Sequence, residues 1–214
     1  MSGFRLRLLL IRHGETAANR EYRYVGNLDE PLAERGRAQA ACLATALAEF
    51  PIRAVYASPL RRADETARPI ASRLDVPLKT ESRLREQCFG AWEGLTRAEV
   101  EARDGDASLL EQWEADPGRT APPGGETLAS VRERALACVE DLASPHRGEW
   151  IALVSHVGPI KALLCSALNV PLGAATRMFL DPGTVSVIDW EDRPVLRLFN
   201  AHTHLGWNSA RWMN

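Results

Sequence analysis

Three short stretches carry the residues best suited to chemistry: Arg12-His13, Ser58-Pro59-Leu60-Arg61-Arg62 and Ser155-His156. A neutral imidazole is nucleophilic near pH 7, and planar guanidinium groups match the oxygens of a carboxylate or phosphate. Each stretch alone has an ordinary structural reading, as a satisfied histidine at a strand end or a solvated arginine in a first helical turn. All three together are harder to explain that way, because clustered cations are costly to bury unless an anion compensates them. The joint reading is an oxyanion pocket.

The elements that must bring these stretches together read as alternating strands and helices. Residues 5–11 form a mostly apolar run typical of a buried parallel strand. A polar loop follows, then a helical stretch over 33–50 with Ala40, Leu43, Ala44 and Leu47 at helical spacing. Residues 54–57 predict a second strand, and Ser58-Pro59 the N-cap and first turn of a helix reaching about residue 74. A short strand is expected at 77–80. Glycines and the Pro122-Pro123-Gly124-Gly125 cluster then punctuate a region, about 87–126, that reads as an excursion over the sheet with two short helical pieces. A helix over 127–142, a strand over 150–154, a helix over 157–168 and a closing hairpin over 184–190 and 195–199 complete the pattern. The predicted fold is a three-layer α/β/α domain with a mostly parallel sheet, spanning residues 1–214. In such sheets the ligand crevice lies beyond the C-terminal strand ends, where all three stretches fall.

Composition narrows the function classes. The chain of 214 residues is 45% apolar, and its 26 basic and 28 acidic residues are interspersed, which argues against a nucleic-acid partner. No apolar run approaches the roughly 20 residues needed to span a bilayer, and the N-terminal segment has no signal-peptide cleavage site, so no membrane partner and a cytoplasmic location are expected. Cys42, Cys88, Cys138 and Cys165 are widely spaced and read as buried free thiols.

The stretch Leu10-Ile11-Arg12-His13-Gly14-Glu15-Thr16 resembles the signature of the histidine phosphatase superfamily, the phosphoglycerate mutase-like family. Ala57-Ser58-Pro59-Leu60-Arg61-Arg62-Ala63, Leu84-Arg85-Glu86, Phe89-Gly90-Ala91-Trp92-Glu93-Gly94, Gly124-Gly125-Glu126-Thr127 and Val154-Ser155-His156 follow in the family's order. The resemblance implies that His13 is the nucleophile and that Arg12 and Arg61 clamp the phosphate. It further implies that His156 completes the pocket and that Glu86 donates a proton to the leaving group and then accepts one from water. Glu15, Glu93 and Asp64 are competing carboxylates. Asn19 matches a phosphate-contacting residue, and Gly26 falls where the family brings backbone close to substrate. Where the family commonly has two small residues after the second histidine, this chain has Val157-Gly158-Pro159, which places Val157 in the wall of the phosphate pocket.

The family's mutases use an additional basic cluster in the middle insertion, whereas residues 112–125 offer only Arg119. The resemblance therefore points to the phosphatase branch, similar to broad-specificity acid phosphatases and α-ribazole phosphatases, without metal or other cofactor and with a small phosphomonoester as substrate. A phosphoglycerate mutase and a non-catalytic phosphate-binding module are the alternatives. His202 and His204, two apart on an expected strand, would point the same way as metal ligands, but packing is the preferred reading. The tail with Trp207 and Trp212 is compatible with docking locally, over the site or on a homodimer face.

Overall fold

The computed structural model describes residues 5–206, so the tail with Trp207 and Trp212 lies outside the described residues. In chain order the elements are β1 (Leu6–Arg12), α1 (Ala17–Arg20), α2 (Glu34–Ala46), β2 (Ile52–Ala57), α3 (Arg61–Leu74) and β3 (Leu78–Thr80). They continue with α4 (Arg97–Glu101), α5 (Asp106–Ala115), α6 (Leu128–Ala143), β4 (Trp150–Ser155), α7 (Val157–Ala167), β5 (Val185–Trp190) and β6 (Val195–Ala201). The strands form one six-stranded sheet in the order β3-β2-β4-β1-β5-β6. β1 to β4 pair in parallel, whereas at one side β5 pairs antiparallel with β1 and β6 antiparallel with β5.

The period-2 geometry of a strand explains the three layers. Leu6, Leu8 and Leu10 of β1 face α6 and α7 in one core, together with Ile151 and Leu153 of β4. Leu9 and Ile11 face the opposite core with Val154, against Leu43 and Ala44 of α2 and Ala63, Ala67 and Ile70 of α3. Burying each large aliphatic side chain contributes about 2 kcal/mol, and a register slip of one residue would reverse both faces. Of the four cysteines, Cys138 and Cys165 are buried but Cys42 is exposed, because it lies off the Ala40–Leu43–Ala44 face of α2.

β4 lies between β1 and β2, so the C-terminal ends of three neighbouring strands come side by side. Backbone hydrogen bonds lace these ends together: the His13 N–H donates to the Ser155 carbonyl, and the Ser58 N–H to the Val154 carbonyl, both at 3.0 Å. The region between β3 and α6 forms short helices with an aromatic cluster of Tyr24, Phe89, Trp92 and Trp113. His202 and His204 do not share a strand face, because β6 ends at Ala201 and His204 sits in a 3-10 turn, donating to the Gly183 carbonyl at 2.8 Å.

Candidate active site

His13 and His156, at the ends of β1 and β4, are buried with ring centroids 5.0 Å apart. The Nδ1 of His13 lies 2.7 Å from the Gly14 carbonyl, which can only accept, so Nδ1 carries the proton and Nε2 keeps its lone pair. His156 pairs through Nε2 with the Ser58 hydroxyl at 2.8 Å, and its buried Nδ1 has no hydrogen-bond partner among the described residues. Ser58 therefore orients the second imidazole rather than capping α3, which begins at Arg61 with Leu60 as its cap.

The arginines require a correction. Arg12 is buried in the cluster and donates to the Leu180 carbonyl. Arg61, expected as the second clamp, has a side chain 57% exposed and paired with Glu65 at 3.3 Å. Its neighbour Arg62 is 1% exposed and is the guanidinium whose charge acts most strongly on both histidines. Helical geometry is the reason: Arg62, Ala63, Thr66, Ala67, Ile70 and Ala71 form the buried face of α3, and Arg61 falls outside it. The Nη atoms of Arg62 donate to the carbonyls of Gly26 and Leu28 at 2.7 Å, while its buried Nε has no hydrogen-bond partner among the described residues.

Gly26 thus enters the site as the backbone that holds Arg62. Its φ is +54°, and a Cβ there would lie 2.1 Å from a Glu93 carboxylate oxygen, so glycine is required. Asn19 is buried in the loop after β1 and forms a capping box with Thr16 at the start of α1. Thr66 ties that loop to α3, accepting from the Gly14 N–H at 3.0 Å and donating to the Arg62 carbonyl.

Glu86 is buried at the N-terminus of α7. Its carboxylate accepts from the backbone N–H groups of Gln87 at 2.8 Å, Val157 at 3.1 Å and Gly158 at 2.9 Å. Val157 is half-buried and contributes its N–H beside the site, and a Cβ on Gly158 would lie 2.5 Å from Glu86 Oε1. Arg134 holds the segment from behind, donating to the carbonyls of Arg83, Arg85 and Glu86. The competing carboxylates are committed elsewhere. Glu15 pairs with Arg20 and Arg35, Asp64 with Arg68, and Glu93 accepts from the backbone of Asn27 and Phe89. A cavity of about 480 Å³ opens beside Glu86, lined also by Tyr24, Phe89, Trp113, Val157 and Lys161.

Burial, reinforced by the charges of Arg62 and Arg12, holds His13 well below the ordinary histidine pKa. His156 is lowered for the same first cause, burial, with Arg62 next. Both rings are therefore neutral at pH 7. The unfolded chain takes up protons below about pH 6.5 while the folded histidines do not, so stability is full above that pH and falls as pH drops. Each histidine should contribute a slope of up to about 1.4 kcal/mol per pH unit. Urea denaturation from pH 7.5 to 5 should show this loss, and His13→Asn should flatten it; equal slopes in the two proteins would contradict the neutral-imidazole assignment.

An imidazole with a free lone pair, two buried guanidiniums and a buried carboxylate can carry out transfer of an oxyanionic group. The chain belongs to the histidine phosphatase superfamily (branch 1), whose family model matches residues 8–202. It is 34% identical to phosphoserine phosphatase 1 of Hydrogenobacter thermophilus over 202 residues, covering 94% of this chain and 95% of the relative. It is 32% identical to the adenosylcobalamin/alpha-ribazole phosphatase of Escherichia coli over 197 residues, 92% of this chain and 96% of the relative. The solved structure of mycobacterial glucosyl-3-phosphoglycerate phosphatase with VO3 superimposes with a TM-score of 0.83 at 32% identity, covering 92% of this chain and 99% of that one. The superfamily and fold expected from the sequence agree with these comparisons, and all three relatives are named as phosphatases.

Proposed function

We propose that the chain hydrolyses small phosphomonoesters in the cytoplasm, without a metal, through a phosphohistidine formed on His13. The observation that carries this reading is the neutral, buried His13, with Nδ1 tied to Gly14, set beside Arg12, Arg62 and His156. In the first step His13 Nε2 attacks phosphorus and the bond to the ester oxygen breaks. Arg12, the unpartnered Nε of Arg62 and the unpartnered Nδ1 of His156 supply donors for the phosphoryl oxygens. Glu86, in its carboxyl form, gives its proton to the departing alkoxide. In the second step Glu86 takes a proton from water, whose oxygen attacks the phosphohistidine and releases inorganic phosphate and neutral His13. Asn19 and Val157 belong to the wall of the phosphate pocket in this reading.

The mutase reading has less support. Arg119, the only basic residue in the stretch expected to carry the extra cluster, has a side chain 90% exposed and paired with Asp116.

The proton-donor role makes a prediction that depends on the leaving group. Glu86→Gln should lower kcat/KM for an alkyl phosphate by about 10²- to 10⁴-fold. It should leave p-nitrophenyl phosphate much less affected, because p-nitrophenolate departs without protonation. Steady-state kinetics in EDTA with both substrates tests this, and an equal loss on both would remove Glu86 from that role.

A further inference from the structure

Lys161 is used by none of the steps above. Helical spacing puts it on the same face of α7 as Val157, just over one turn or about 6 Å along the axis from the backbone that holds Glu86. Lys161 and Glu86 line the same cavity. Lys161 is half-buried and makes no hydrogen bond or ion pair among the described residues. The other acidic side chain of the cavity wall, Glu114, is held bidentately by Arg97 at 2.9 Å through both oxygens. Glu86 is occupied by three backbone N–H groups. Among the described residues the cavity therefore has an ammonium with no hydrogen-bonded or ion-paired carboxylate, framed by the apolar surfaces of Phe89, Trp113 and Leu128.

We propose that Lys161 is a specificity-determining residue, which binds a second anionic group, carboxylate or phosphate, on the alcohol portion of the phosphomonoester. This rests on the hydrolase reading, since the cavity adjoins the carboxyl that would protonate that alcohol. The volume of about 480 Å³ is that of a small-metabolite site. Burial and the nearby Arg12 push the ammonium down to about 8, the condition of a cation short of a counter-charge, while Glu86 and Cys165 act in the other direction. A substrate anion would supply that charge at a half-buried cation through a charge-assisted hydrogen bond, stronger than one between neutral groups.

The test compares matched substrates. For the carboxylate arm, 3-phosphoglycerate is set against glycerol 3-phosphate; for the phosphate arm, ethylene glycol bisphosphate against hydroxyethyl phosphate. In the better arm, wild type should prefer the doubly anionic member, and Lys161→Met should lower kcat/KM for that member by about 10- to 100-fold, chiefly through KM. Activity on the singly anionic members and on p-nitrophenyl phosphate should stay within about threefold, and Lys161→Arg should restore most of the preference. An equal loss on all substrates, or no preference in either arm, would overturn the proposal while leaving the hydrolase reading intact. Binding of the same ligands to His13→Asn, with and without Lys161→Met, reads the contact without turnover. It therefore decides the role of Lys161 even if every monoester resisted hydrolysis, an outcome that would count against the hydrolase reading alone.

Discussion

His13→Asn should lower phosphomonoester hydrolysis by at least about 10³-fold, because the proposed two-step route uses His13 to accept the phosphoryl group. The size of the effect follows from the division of labour in the site. In the proposed mechanism Arg12 and Arg62 hold the transferring group, but neither can form the covalent intermediate that divides one difficult displacement into two easier ones. The variant should still bind inorganic phosphate, since the guanidiniums and His156 are untouched, and it should melt cooperatively. Competition by phosphate against a chromogenic substrate, together with a calorimetric melt, separates loss of the nucleophile from loss of the fold. A folded variant that kept most of the wild-type rate would contradict the assignment.

The second large effect distinguishes two adjacent arginines. Arg62→Ala should reduce kcat/KM by about 10²- to 10³-fold, the scale for removing one preorganised donor from a developing oxyanion. Arg61→Ala should change it by no more than about twofold, because its exposed side chain holds only Glu65 and surface substitutions of this kind are small. Arg62 also secures the Gly26 and Leu28 carbonyls, so loss of stability is expected in Arg62→Ala alongside loss of rate. Arg62→Lys keeps a charge while losing the planar fork, and it should recover little activity. Inhibition by inorganic phosphate should weaken sharply in Arg62→Ala and hardly at all in Arg61→Ala. The reverse order of effects would show that the clamp lies on the exposed arginine.

These adjacent arginines also show where the sequence is informative. The strand ends were legible because apolar runs stop abruptly at Arg12, Ala57 and Ser155, and the sheet brings those stops to one edge. The motif match put the clamp on Arg61, whereas the buried guanidinium is that of Arg62. The periodicity of α3 could have done so, since Ala63, Ala67, Ile70 and Ala71 define a buried face that includes Arg62. Ser58 followed a different course. Ser-Pro is a sound helix-start signal, but its hydroxyl is drawn to His156, a partner 98 positions away that no local rule could supply. The anchoring of Glu86 on α7 likewise depends on a tertiary contact, made possible by Gly158. Lys161 was hidden by its setting in a largely apolar helix, although its spacing from Val157 marks the same face.

The central claim is that a phosphoryl group passes through His13. Rapid mixing with p-nitrophenyl phosphate in EDTA, quenched in base and read by peptide mass spectrometry, tests it directly. A phosphoryl increment on the peptide carrying His13, stable in base, labile in acid and lost in His13→Asn, is the expected result. Turnover in EDTA with no such adduct, and with hydrolysis retained in His13→Asn, would contradict it.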